Sequence, residues 1–465
     1  MSLFAILHSG ATALTAQSRA LQTTANNVAN AETPGYRRQT TGLHTAGTLN
    51  RSGLLLGQGV RASTVSAAYD SFAQEQVLAQ LGEEGYARAH ASGIRALEVA
   101  LAEGTDGAIG QRLAELFDSF SALEANPTTP GHRLEVIGRA QLLAGAFNRG
   151  AEILDARAAE ANTAIGDAAG RVNALGRSVA ALNAEIVELE AAGGEANDLR
   201  VQRSNAVEEL SGLASVNSSE QADGSLTVLF AGHHLVEGHV ARTLTAVEDA
   251  AGDLQLRISH GTSTFDITPS VGNYGEIGAA LTMRDSVVPG LMADLDSLAE
   301  TVAVEVNAVH SAGFGLDGST GVNLFDPVAA SGAAASFSVS AAVATSPDAI
   351  AASGSSATLP GGNTNAAALA ALADTLTMAG GTRTFESFYG QFVAELGGAA
   401  STAYANEART GIQLDAALDA RDAKTAVSLE EEAIDLVRFQ EAYQAAARVI
   451  STANELFDDL LSIVR

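Results

Sequence analysis

Apolar side chains repeat at seven-residue intervals at both ends of this chain, and that repeat limits the fold more than any other feature. Near the C-terminus Leu429, Leu436, Tyr443, Ile450, Phe457 and Val464 form an unbroken row, and Phe439, Ala446, Ala453 and Leu460 supply a second. Near the N-terminus Leu7, Leu14, Leu21 and Val28 recur at the same interval, with the weaker Leu3, Gly10, Gln17 and Thr24 half-way between. Rows of this period make a narrow stripe on a helix, and such a stripe needs a partner helix to cover it. Glu432 is the one departure from the second C-terminal row. Ser428 followed by Glu431 reads as a capping box, with Glu430 to Glu432 facing the positive end of the helix dipole. The N-terminal helix should stop near Asn30, because Thr33-Pro34-Gly35 joins a restricted pre-proline residue to a permissive glycine. Periodicity alone also admits two amphipathic helices docked on separate cores. The positions of the stripes favour pairing of the two ends: termini fray unless tied down, and isolated helices of this length are marginal in water.

The interior reads as helix, β insert, helix. From Tyr69 to about Leu213 the pattern is helical, with Leu113, Leu116, Phe117, Phe120 and Leu123 on one face before Asn126-Pro127. Leu154, Ala158, Ala161, Ile165, Ala168, Val172, Leu175, Val179, Leu182, Ile186 and Leu189 follow three-four spacing, which predicts a long rod ended by Gly193-Gly194. After Ser215 short alternating runs (Leu226 to Phe230, Leu244 to Val247, Leu254 to Ile258, Thr264 to Thr268) are separated by Gly, Asp or Asn and read as strands. Helix resumes near Glu276. In the Gly/Ala/Ser-rich stretch 313–362 one strand is expected, Ser336 to Ser340, completing the insert. Helix then returns from Asn363, breaks at Gly380-Gly381 and continues from Phe385 to Leu418. The expected fold is mainly α with a β-rich inserted domain. Its parts are a terminal coiled-coil domain (1–35 and 428–465), a discontinuous helical-bundle domain (36–214, 275–312 and 363–427) and a small outer β domain (215–274 with 313–362).

Composition removes several function classes. The net charge of −28, with Lys424 the single lysine, disfavours nucleic acid and anionic lipid as partners. With no cysteine there is neither a disulfide framework nor a thiol site. The longest apolar run, Ala366 to Ala373, is far short of the roughly 20 residues of a spanning helix, so no membrane partner is expected. Leu3 to Leu14 is apolar enough to suggest a signal peptide, but no Lys or Arg precedes Arg19 and the basic leader region is missing. His233, His234, Glu237 and His239 are the one group that resembles a metal site, and as residues of a β hairpin they read better as solvated. Asp317, Asn323 and Asp326 do not have the spacing of a calcium loop. No catalytic, cofactor or metal set is expected.

Ala25 to Tyr36, containing Asn26, Asn27, Asn30, Thr33, Pro34, Gly35 and Tyr36, resembles the N-terminal signature shared by flagellar rod, hook and hook-associated proteins. Val427 to Ile450 resembles the closing helix of the same group. The ending Asn454-Glu455-Leu456-Phe457-Asp458-Asp459-Leu460-Leu461 is similar to the form found in the hook-associated protein 1 (FlgK) family. Specific matching covers about the first 60 and the last 40 residues, and Thr425-Ala426-Val427 departs mildly from the usual Ser-Gly-Val.

The resemblance implies a structural subunit of the bacterial flagellum, not an enzyme. It implies export through the flagellar type III apparatus without a cleaved signal peptide, with an export chaperone as a further partner. It implies an extracellular ring of copies of this chain between the hook protein and the second hook–filament junction protein. A rod or hook subunit is the nearest rival, and a secreted protein with activity in the β insert a more distant one. For Asn26, Asn27 and Asn30 two roles stand open: hydrogen bonds between subunits, or local capping of the helix end. For Arg37 and Arg38 a solvated turn is favoured over pairing with acidic neighbours.

Overall fold

The structure is a computed structural model that describes residues 3–33, 35–51, 54–101 and 108–463. Helix α1 (Leu3–Ala29) ends in a turn in which Gly35 has a φ of +77°. A side chain there would put its Cβ 2.9 Å from Asn205 Oδ1, so a glycine suits both the conformation and the close approach. Four strands follow, β1 (Gln39–Thr45), β2 (Thr48–Arg51), β3 (Leu54–Gly57) and β4 (Val60–Ala67). β1 pairs antiparallel with β4 and β2 with β3. This corrects the placing of 36–68 in the helical domain: its described residues form β strands, with β1 and β4 lying on α1. Gln39-Thr40-Thr41 and Val60 to Val65 are rich in β-branched residues, which fit a pleated surface better than a helix.

The helical body contains α2 (Ser71–Ala100), α3 (Ile109–Ala125), α4 (Pro130–Ala191) and α5 (Asn197–Leu213). Asp70 caps α2 by accepting from the Ala73 N–H at 2.8 Å. The 62 residues of α4 make a rod roughly 90 Å long at the usual helical rise. The β insert is two antiparallel sheets. One is four-stranded, ordered β5 (Val216–Glu220), β6 (Leu226–Phe230), β7 (His233–Glu237) and β8 (Val240–Ala241). In the other, β10 (Leu254–His260) lies between β9 (Leu244–Glu248) and β11 (Ser263–Asp266). Then come α6 (Thr268–Val271), α7 (Gly275–Thr282), a π-turn over Met283–Val287 and α8 (Val288–Ala312). Pro289 has no N–H to continue the regular ladder, which accounts for the widened turn before it. The chain closes with α9 (Ala333–Ser336), α10 (Ala341–Ala344), α11 (Thr364–Ala371), α12 (Phe385–Thr425) and α13 (Leu429–Ile463).

Two hydrophobic cores share α4 as a wall. Its first half, including Val136, Leu143, Phe147 and Leu154, packs with α3, α8 and the start of α12. Its second half, including Ile165, Val172 and Val179, packs with Val228, Phe230, Leu235, Ile258 and Ile277 of the insert and its flanks. Asparagines on α4 pin the insert's backbone. Asn162 receives the Leu254 N–H at 2.8 Å and donates to Gly252 O at 3.0 Å. Asn173 receives the Leu244 N–H at 2.8 Å and donates to Leu244 O at 2.7 Å. Asn183, fully buried, does the same for Leu226 at 3.0 and 2.8 Å.

The stretch 313–362 does not complete the β insert. The expected strand Ser336–Ser340 is instead the end of α9 followed by extended chain, with a single bridge from Phe325 to Val339. Phe337 is buried against Phe147 and Phe325, with ring centroids 4.9 and 4.6 Å away, so the stretch belongs to the first core. Large apolar residues set singly in a Gly/Ala/Ser background show no period, and their destination could not be read from spacing. Buried Arg133 fastens the same region by donating to Pro127 O and Ile350 O, each at 2.7 Å.

Candidate assembly surface

The two chain ends lie side by side and antiparallel. Phe4 meets Phe457 edge to face with centroids 6.1 Å apart, and Gly10 sits beneath Ile450. A Cβ at position 10 would lie 2.7 Å from Ile450 Cγ1, so the glycine permits the close approach of the helices. At the other end of the pair the turn after α1 reaches the start of α13.

Within one subunit this pair buries a few small residues and leaves many large ones outside. Gly10, Thr24, Ala446 and Ala453 are buried. Leu7, Leu14, Leu21, Leu436, Phe439 and Ile450 are half-buried. Val28, Leu429, Tyr443, Phe457 and Leu460 of the expected seam are exposed, and Ile434, off the seam, is 67% exposed. Val464 and Pro34 lie outside the described residues. The seam residues are thus brought to one structure, but one subunit does not cover them.

The asparagine signature folds inward. Asn27 is buried and makes a strand-like pair with Gln39, donating to its carbonyl at 2.8 Å and accepting its N–H at 2.9 Å. The Tyr36 hydroxyl donates to Asn27 Oδ1 at 3.0 Å and accepts from Asn26 Nδ2 at 3.2 Å. Asn30 donates back to Asn26 O at 2.9 Å, a local closing of the helix end, and Thr33 follows in the turn. Burial, with the nearby charges of Asp198 and Glu432, pushes the Tyr36 phenol up to about 12, so it stays a hydrogen-bond donor.

The arginines expected in a solvated turn are instead engaged. Arg38 donates from Nε to Glu432 at 2.7 Å, from Nη1 to Glu431 at 2.8 Å and from Nη2 to Asp435 at 3.3 Å. Glu432, the polar departure from the seam, is 1% exposed. Burial opposes the Arg38 charge, and the three carboxylates more than offset it, raising its pKa. Arg37 points the other way. It donates to Gln74 Oε1 at 2.9 Å and Ser204 Oγ at 2.8 Å and lies over the Tyr69 ring. The sequence signal for the Arg38 grip was Glu432 itself, since an acid in an apolar row asks for a cation.

In the β insert Glu237 pairs with Arg242 at 3.0 Å. Among the described residues no three His, Cys, Asp or Glu side chains converge as a metal site would require, so His233, His234 and His239 form no cluster. Among the same residues no helix is long and apolar enough to cross a membrane.

Comparison with known proteins follows the same division. Residues 94–325 match the family described as the flagellar hook-associated protein FlgK helical domain. Residues 7–37 match the flagella basal body rod protein family, and 423–463 the C-terminal family of the flagellar basal body rod FlgEFG proteins. Along 98% of its length the chain is 26% identical to flagellar hook-associated protein 1 of Escherichia coli, covering 99% of that protein. It is 29% identical to the Bacillus subtilis protein of the same name, over 99% of this chain and 98% of that one.

The chain belongs to the FlgK family of flagellar hook-associated proteins.

It is therefore a structural component of the flagellum. The FlgK helical-domain match spans the whole of α4 and of the β insert, while the matches shared with rod proteins are the two ends that meet as α1 and α13. The fold agrees with the flagellar hook junction protein FlgK of Burkholderia pseudomallei at a TM-score of 0.67. That structure is 17% identical and covers 76% of this chain and 100% of its own.

Proposed function

We propose that copies of this subunit form the ring that joins the flagellar hook to the filament. In this reading α1 and α13 line the inner layer, the helical body forms the next, and the β insert lies outermost. The observation that carries it is the unfinished terminal pair: Ile434, Val437, Tyr443, Val449, Leu460 and Leu461 stay exposed on a helix whose buried positions are Glu432, Ala446 and Ala453. Apolar side chains exposed on several sides of one helix are covered when other copies pack around it.

The neighbours proposed along the axis are the hook protein on one side and the second hook–filament junction protein on the other. Export through the flagellar type III apparatus, with an export chaperone and no cleaved signal peptide, fits a terminal pair with little stability of its own. Such a pair can pass through a channel unfolded and gain its order at the interface. The subunit is then extracellular once assembled, and its work is mechanical, not catalytic.

Deletion of the gene tests this, with cells viewed by electron microscopy and the medium assayed for flagellin. Hooks without filaments, together with flagellin lost to the medium, are expected. Absence of hooks would move the subunit to the rod or hook, and normal filaments would overturn the proposal.

A further inference from the structure

The chain crosses the joint between the terminal pair and the helical body at 68–70 and at 425–428, and 36–38 lies in the same joint. The joint gathers Arg37, Arg38, Arg421 and Lys424, the last being the only lysine of a chain with net charge −28. Arg421 pairs with Glu208 of α5 at 3.0 Å, and Lys424 with the α2 cap Asp70 at 2.8 Å. These contacts hold the end of α12 to the helical body. The backbone of Arg38 is held there too: its N–H donates to Thr425 O, and its carbonyl accepts from the Ala68 N–H, both at 2.8 Å. Its guanidinium, however, grips only α13, on Glu431, Glu432 and Asp435.

We propose that Arg38 is the positioning residue of the subunit, fixing the direction in which the terminal pair leaves the helical body and so the angle between the layers of the assembly. The three carboxylates lie on one side of the first turn and a half of α13. A planar fork that reaches all of them restrains rotation as well as separation, which a point charge cannot do. Glu432 makes the contact obligatory, because a carboxylate that buried has no other cation within ion-pair distance among the described residues.

The test uses the full chain, whose lack of cysteine allows clean double labelling. Spin labels at exposed Gln444→Cys and Asp155→Cys report the angle between the bodies. Labels at Gln22→Cys and Gln444→Cys report the terminal pair itself. In Arg38→Gln the first distance distribution is expected to broaden and shift while the second keeps its wild-type width. Arg38→Lys is expected to broaden the first distribution as well, since charge alone does not supply the fork. If Arg38→Gln unfolds the pair, the double variant Arg38→Gln/Glu432→Gln removes the stranded charge and restores the pair, still with a broadened first distance. An unchanged first distance in the double variant, or full recovery with lysine, would overturn the proposal.

The inference rests on the assembly reading only for its consequence in cells. There the double variant is expected to be secreted normally but to lose filaments and swimming. A deletion strain that swims would defeat the assembly reading, whereas a non-swimming deletion strain rescued fully by the double variant would defeat the role of Arg38 alone.

Discussion

The first core of the helical body and the terminal pair are both built from helices, but they bury opposite kinds of residue. Around α4 the largest side chains are the most deeply covered: Phe120, Phe147, Phe325, Phe337 and Phe385 are each at most 1% exposed. Between α1 and α13 the buried apolar positions are small ones such as Gly10, Ala446 and Ala453, while Phe457 and Leu460 remain exposed. Apolar burial stabilises roughly in proportion to area, so one region is complete within the subunit and the other is not. Folding of the body is an intrachain event. In the proposed assembly, completion of the ends is left to neighbours.

The largest effect on the isolated subunit is expected from Phe147→Ala, which empties a buried site against Phe337. It should cost about 3–5 kcal/mol in urea unfolding of the helical body. A cost below about 1 kcal/mol would mean that the core is less closely packed than the ring contacts indicate. Asn173→Ala should cost about 1–3 kcal/mol, because the Leu244 N–H and carbonyl both lose their partner at the junction of α4 and β9. Amide exchange in β9 would show the loss first.

Ile450→Asp reverses the pattern. It places a charge against Gly10 and should open the terminal pair without moving the unfolding midpoint of the helical body. Incorporation into flagella is expected to be abolished, and the same is expected of Leu436→Asp. Wild-type incorporation of either variant would remove the seam from the assembly account. Smallest in the free subunit is Ile434→Ser, at a site 67% exposed, which should change stability by no more than about 0.5 kcal/mol. It should still reduce incorporation, measured as filament number per cell. Normal filaments would show that this face of α13 meets nothing.

The regular elements were legible in the sequence where a period ran long enough to be counted. The three-four spacing from Leu154 to Leu189 lies within α4, and the seven-residue rows fall on α1 and α13. The fate of 313–362 was not legible, since Phe325 and Phe337 act as isolated anchors whose partners are distant in sequence. The β ribbon within 36–68 was missed because its strands show no regular alternation of apolar and polar residues: β3 is apolar throughout but for its glycine, and β1 is nearly all polar. The asparagines on α4 carried a faint signal, recurring as they do among apolar positions of a buried helix face, but only their partners Leu226, Leu244 and Leu254 give it meaning. At the joint, Glu432 was visible as an anomaly. Its answer, Arg38, lies almost 400 residues away in sequence, and no local rule connects the two.

Hydrogen exchange on the free subunit and on the same subunit within purified hook–filament structures compares the two regions directly. The account predicts that amides of α1 and α13 exchange quickly in the free subunit and become protected on assembly, while those of α4 around Phe147 are protected in both states. Equal protection of α1 and α13 before and after assembly would contradict the claim that the ends are completed by neighbouring subunits.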